Sequence, residues 1–180
     1  MTQPSTLPLN PASSSTMRAS VAEPSWRLML AHPAHWIAFG CGSGLLRPAP
    51  GTWGTLAAWF VFVTLDPWLS TPAWLGLILL TAVVGAWAAE RTGRVLGRQD
   101  HGAIVIDEIV AFWLVLLLLP DSLLAQALGF LAFRLFDIVK PPPIRAVDRR
   151  FKHGVGVMAD DLIAAFYTLL VAAVAVRVSA

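Results

Sequence analysis

The sequence predicts an all-α, compact multi-helix integral membrane bundle whose polar site lies at the cytoplasmic ends of its helices. Three observations lead there. The chain is 57% hydrophobic and only 13% charged, with a mean hydropathy of +0.68, whereas a soluble domain carries about 25% charged residues. Its apolar residues fall into five separate runs. The unusual polar motifs sit at the ends of those runs rather than between them.

The first 25 residues are rich in Ser, Thr and Pro and have no apolar core, so residues 1–25 read as a disordered tail. They lack the basic start and apolar run of a signal peptide. Residues 26–180 form the single helical domain. Within it, His35–Leu46 holds three glycines in twelve residues and reads as a loop or re-entrant piece. The helical segments follow at Trp53–Leu65, Ala73–Ala89, Ile104–Leu119, Leu123–Val139 and Leu162–Val176. Each is shorter than the ~20 residues of a full span, but their number and spacing favour a membrane bundle over a soluble core.

Loop charges give the orientation. The turns "DPWLSTP" and "PDS" carry no Lys or Arg, whereas Glu90–Asp107 and Lys140–Asp161 are basic, as is the region before the first segment. By the positive-inside rule the N-terminus and the two basic loops are cytoplasmic. The net charge of +2 is too small to argue for a nucleic-acid partner. A single cysteine excludes an internal disulfide and a cysteine zinc site. The chain carries no signal of its oligomeric state.

This topology brings four distant motifs to one membrane face: "RPAPGTWGT", "DHGAIVIDE", "FRLFDIVKPPPIR" and "GVGVMADDL". Asp107-Glu108 and Asp160-Asp161 could each be ordinary helix-start carboxylates facing the backbone dipole. Two such pairs in apolar helices point instead to function, because ionisable groups there are costly. Neighbours on a helix diverge by about 100°, so one acid of each pair is expected to face the bundle centre. Arg134, Asp137 and Lys140 recur every three residues and share a helix face. The prolines after Lys140 end that helix, leaving Lys140 beside Asp137.

Several carboxylates suit a hard cation such as Mg²⁺, and Lys and Arg beside them suit a phosphate oxyanion. The start of "PGTWGT", with Gly51, Thr52 and Gly54, offers backbone N–H groups to a phosphate, although Pro-Gly followed by Thr is also a plain turn and cap.

The ordered set "GSGLLRPAPGTWGTLAA", "DHGAIVIDEIV", "FRLFDIVKPPPIRAVDR" and "GVGVMADDLIAA" resembles the phosphatidylglycerophosphatase A family from about Gly40 to Ala165. The resemblance implies an all-helical, Mg²⁺-dependent phosphatase of the bacterial inner membrane, acting on the phospholipid phosphatidylglycerophosphate. It carries over Asp107, Glu108, Asp137, Asp160 and Asp161, with Lys140 as basic partner. Ala111 and Ala165 stand where the family usually has glycine.

On this reading Glu108, Asp137, Asp160 and Asp161 are the candidate metal ligands. Lys140, with Arg134 or Arg145, grips the terminal phosphate. Asp107 or Asp161 serves as base for an attacking water, and a carboxylate nucleophile stays open as the alternative. His101 either donates to the leaving oxygen or caps its loop, the second being favoured, and Asp148 pairs with local arginines.

Two rivals exist. Cys41 and Arg47 have the Cys-x5-Arg spacing of cysteine phosphatases, but Gly40 replaces the usual histidine and "PAPG" opposes a helix start. A small transporter could use the same charges, but near the bilayer midplane.

Overall fold

The computed structural model of the protein describes residues 22–142, Ile144 and 154–179. All its regular elements are helical: α1 (Trp26–Ala31), α2 (Pro33–Ala38), a 3₁₀ segment (Gly40–Leu45), α3 (Pro50–Leu65), a 3₁₀ turn (Asp66–Trp68), α4 (Thr71–Val95), α5 (Ile106–Leu118), α6 (Leu123–Val139) and α7 (Gly154–Ser179).

Of the tail expected over residues 1–25, residues 22–25 are described, and they are tied down. The Ala22 N–H donates to the Val95 carbonyl, and the Ser25 hydroxyl accepts from the Leu28 N–H to cap α1. The stretch His35–Leu46 is not one loop. His32 accepts from the Ala34 N–H and Pro33 occupies the first turn, so a helix starts there and runs through Ala38. It stops where Gly40, Cys41 and Gly42 take φ of 53°, 54° and 101°, a left-handed run that no helix continues.

The greasiest segment turns out to be the centre of the bundle. Helix α5 packs against α3, α4, α6 and α7, and nine of its 13 residues are buried. A helix apolar all round belongs in such a place. Its Trp113 indole donates to the Ala58 carbonyl at 2.9 Å. Phe112 meets Trp59, Phe130 and Phe133, knitting α3, α5 and α6 together. The other buried or half-buried indoles are also paired, Trp59 with Gln126 and Trp74 with Asp66, as buried Trp requires. Ala111 and Ala165 are both fully buried.

The bundle's outer face is the opposite of a soluble protein's. On α6, Leu124, Leu128, Leu131, Leu135 and Ile138 form an exposed apolar stripe, while Arg134 and Asp137 are largely covered. Two helices, Thr71–Val95 and Met158–Val178 within α7, are long and apolar enough to cross a membrane. Only 28% and 22% of their most apolar windows are buried, so most of each window faces outward. Exposed apolar surface on this scale suits lipid. The remaining segments are shorter than the ~30 Å hydrocarbon layer at 1.5 Å per residue, and α5 gains its environment from protein rather than from lipid.

Candidate active site: a buried carboxylate cluster

Four helices deliver polar side chains to one end of the bundle. Asp107 and Glu108 occupy the first turn of α5. Arg134 and Asp137 lie near the end of α6, Lys140 is its C-terminal cap, and Asp160 and Asp161 come from α7. Gly51 and Thr55 come from the start of α3.

Both acids of each pair turn inward, not one of each as their angular separation suggests. Asp107, Asp160 and Asp161 are buried, and Glu108 is nearly so. Carboxylate oxygens of Asp107, Glu108 and Asp161 all lie within 4.8 Å of one another. The distribution of partners differs from that expected. Asp137 is held by Arg134 at 2.8 Å, and Asp160 forms an ion pair with Lys140. Asp107, expected as a base, joins Glu108 and Asp161 in a group of converging oxygens that Arg134 touches at its Glu108 edge.

Lys140 reaches α7 because it leaves the helical path. Its φ is 45°, so the side chain is not simply the next rung above Asp137. Arg134, expected to grip a phosphate, is built into the wall: its Nη1 lies 3.6 Å from Glu108 Oε1 and 3.4 Å from the Thr55 hydroxyl. Thr55 in turn donates to the Gly51 carbonyl at 2.8 Å. Thr55 is a site residue that sequence reasoning missed. Its only signal is the Gly51/Thr55 spacing of four, which puts a hydroxyl over a carbonyl one turn back. Arg145 and Asp148 lie outside the described residues.

The expected phosphate cradle on α3 is narrower than its glycines suggest. The Thr52 and Trp53 N–H groups both donate to the Ala49 carbonyl, which leaves the Gly51 N–H as that turn's candidate donor. Gly51 abuts the cluster directly, since a Cβ there would meet Glu108 Oε1 and the Arg134 guanidinium. Gly54 is used differently, with a Cβ meeting Val105, so its role is close packing of α3 on α5. His101 takes the loop role, its Nδ1 accepting from the Ala103 N–H at 3.1 Å.

Five carboxylates face two cations, Arg134 and Lys140, among the described residues. Burying uncompensated charge is costly, and Asp107 Oδ1 and Glu108 Oε2 are buried with no hydrogen-bond partner among the described residues. Hard oxygen donors, excess negative charge and unpartnered oxygens fit a small divalent cation such as Mg²⁺.

Neither rival fits this geometry. Cys41 lies in the left-handed turn rather than at a helix N-terminus, and burial pushes its thiol pKa up, the wrong direction for a thiolate nucleophile. The acids gather at one end of continuous helices, not at breaks near their middles.

The chain matches the sequence model of Phosphatidylglycerophosphatase A over residues 36–176, which takes in all of these groups. Phosphatidylglycerophosphatase A of Haemophilus influenzae is 40% identical over 149 residues, covering 82% of this chain and 91% of that protein. The Escherichia coli protein of the same name is 39% identical over 142 residues, covering 77% and 80%. A Bacteroides thetaiotaomicron protein with the provisional name phosphatidylinositol-3-phosphatase is 39% identical over 146 residues, covering 77% and 91%. No solved structure matches the chain.

Proposed function

This chain belongs to the phosphatidylglycerophosphatase A family, and we propose that it hydrolyses phosphatidylglycerophosphate to phosphatidylglycerol and phosphate in the bacterial inner membrane. The observation that carries this reading is the convergence of Asp107, Glu108 and Asp161 beside Arg134 and Lys140 at one end of an apolar bundle. A lipid can keep its acyl chains against the exposed apolar faces while its headgroup enters from that end. The basic loops of the sequence orient that end toward the cytoplasm.

Asp107, Glu108 and Asp161 would hold Mg²⁺, with Asp137 and Asp160 kept beside them by their cations. When bound, the metal supplies positive charge that offsets the carboxylates and polarises a phosphoryl oxygen. Arg134 fixes Glu108 from one side and Asp137 from the other, and the Thr55 hydroxyl braces it. Lys140 forms the positive edge that meets the terminal phosphate, Arg134 adds its charge from the wall behind, and the Gly51 N–H contributes a neutral donor. Attack by water forms the new P–O bond and breaks the ester bond to glycerol, whose oxygen takes up a proton. A carboxylate of the cluster, Asp107 or Asp161, receives the proton lost by the water, and this balances the proton taken up by the glycerol oxygen. Trapping phosphate on a carboxylate side chain would replace water attack with a covalent route.

The test is phosphate release by the purified full-length chain in lipid–detergent micelles containing phosphatidylglycerophosphate. Release with Mg²⁺ and its loss with EDTA are expected. No release with Mg²⁺ present would refute the reading. Phosphatidylinositol 3-phosphate, included in parallel, measures headgroup selectivity.

A further inference from the structure

A recess of about 380 Å³ opens at the start of α3. Its walls include Arg47, Pro50, His101, Gly102 and Ala103. It shares the first turn of α3 with the cluster: Pro50 faces the recess, and the next residue, Gly51, abuts Glu108 and Arg134. Ala103, also in its wall, lies just before the first turn of α5, which bears Asp107.

Two side chains of this recess, Arg47 and His101, keep donors that the fold leaves uncommitted among the described residues. Arg47 is exposed and has no carboxylate partner among the described residues. His101 uses Nδ1 as acceptor for the Ala103 N–H, so in the neutral ring Nε2 carries the proton and is a donor. Burial, with Arg98 and Arg47 nearby and Asp100 opposing, holds His101 below its ordinary pKa. That direction favours the neutral ring, in keeping with Nδ1 acting as an acceptor.

The proposed substrate carries two anions separated by one glycerol: the terminal phosphomonoester that is cleaved and the phosphodiester that stays with the lipid. The cluster and its two cations serve the first. Resting on that assignment, we infer that the recess is the subsite for the phosphodiester, with Arg47 pairing with its non-bridging oxygens and His101 Nε2–H donating to the same group. A guanidinium suits this task because it presents parallel N–H donors to two oxygens. Arg47 and His101 are then specificity determinants, favouring lipids with a phosphodiester over phosphatidate, which bears a terminal phosphate alone.

The experiment compares wild type, Arg47→Gln and His101→Asn on phosphatidylglycerophosphate and phosphatidate, with kcat and KM separated. Asn keeps an acceptor for the Ala103 N–H and removes Nε2. Loss of a charge-assisted pair raises KM for phosphatidylglycerophosphate by about tenfold in Arg47→Gln, with kcat little changed, and its preference over phosphatidate falls by a similar factor. His101→Asn shifts KM the same way by less. Inhibition by phosphatidylglycerol, which retains the phosphodiester, weakens in Arg47→Gln, whereas inhibition by inorganic phosphate does not move. Unchanged KM and unchanged phosphatidylglycerol inhibition, equal losses on both substrates, or weakened inorganic phosphate inhibition would each overturn the subsite while leaving the hydrolase reading intact. A wild-type protein inert toward phosphatidylglycerophosphate would overturn both.

Discussion

Substitution of Gly51 by alanine separates the needs of the fold from those of the site. Gly51 is buried within α3 and does not use a positive φ, so its backbone is one alanine adopts freely. Alanine is the better helix former by up to about 1 kcal/mol. Its methyl, however, would lie 2.9 and 3.0 Å from the two Arg134 terminal nitrogens and closer still to Glu108 Oε1. Ordinary contact is near 3.5–4 Å, so the Glu108 carboxylate must retreat by on the order of 1 Å, and overpacking of this kind costs about 1–3 kcal/mol. The helix gain offsets only part of this, so Gly51→Ala should be destabilised by up to about 2 kcal/mol and remain folded. Catalysis does not share the compensation, because a misplacement of about 1 Å can cost about a hundredfold. The assay is phosphate release from phosphatidylglycerophosphate alongside thermal unfolding in the same micelles. Gly76→Ala is the control: it lies in α4 with nothing among the described residues within 4 Å of the added methyl, so it should gain up to about 1 kcal/mol with activity unchanged. Full activity in Gly51→Ala would refute the argument that Gly51 bounds the reacting space.

Three further outcomes follow from individual contacts. Arg134→Gln strips the cation from Glu108 and Asp137; both pairs keep slight exposure, so the loss should sit near the lower end of the ~3–5 kcal/mol for broken buried pairs, read by denaturant unfolding, with activity abolished. Thr55→Val keeps shape but removes the hydroxyl between Gly51 and Arg134, costing about 1 kcal/mol in the same unfolding assay and lowering kcat. Cys41→Ser should retain full phosphate release, since the thiol takes no part; an inactive variant that remains folded would restore the cysteine route.

Much of this architecture was legible in the sequence, and the failures have physical causes. Helix α6 runs over the residues its apolar pattern marks, Leu123–Val139, because Ser122 caps it and the prolines after Lys140 stop it. Helix α4 continues past its apolar window to Val95, since hydropathy reports lipid contact rather than helix length; the Glu90–Arg94 pair sits one turn apart on that polar extension. The helices around His32 and Pro33 were hidden by the nearby glycines. Apolarity alone also could not separate α5, buried by protein, from helices whose apolar faces remain exposed. At the site, the acids announced themselves as charge in apolar surroundings, and the spacing put Arg134 and Asp137 on one helix face without showing that they pair. The Lys140–Asp160 pair did not, because it depends on one left-handed residue and on how α7 packs against α6. Thr55 was overlooked because a threonine within a helix is ordinary until an arginine from another helix reaches it.

The central claim is that Asp107, Glu108 and Asp161 together hold the metal on which hydrolysis depends. The most direct measurement is a Mg²⁺ titration of wild type and Asp161→Asn, following the unfolding temperature and phosphate release from phosphatidylglycerophosphate in the same samples. A ligand that binds only the folded state at a hundred times its Kd stabilises it by about 2.7 kcal/mol. The wild-type unfolding temperature should therefore rise with Mg²⁺ as activity appears, whereas Asp161→Asn should remain folded, show a flat unfolding temperature and release no phosphate. An Asp161→Asn protein that keeps both the Mg²⁺-dependent stabilisation and the activity would contradict the account.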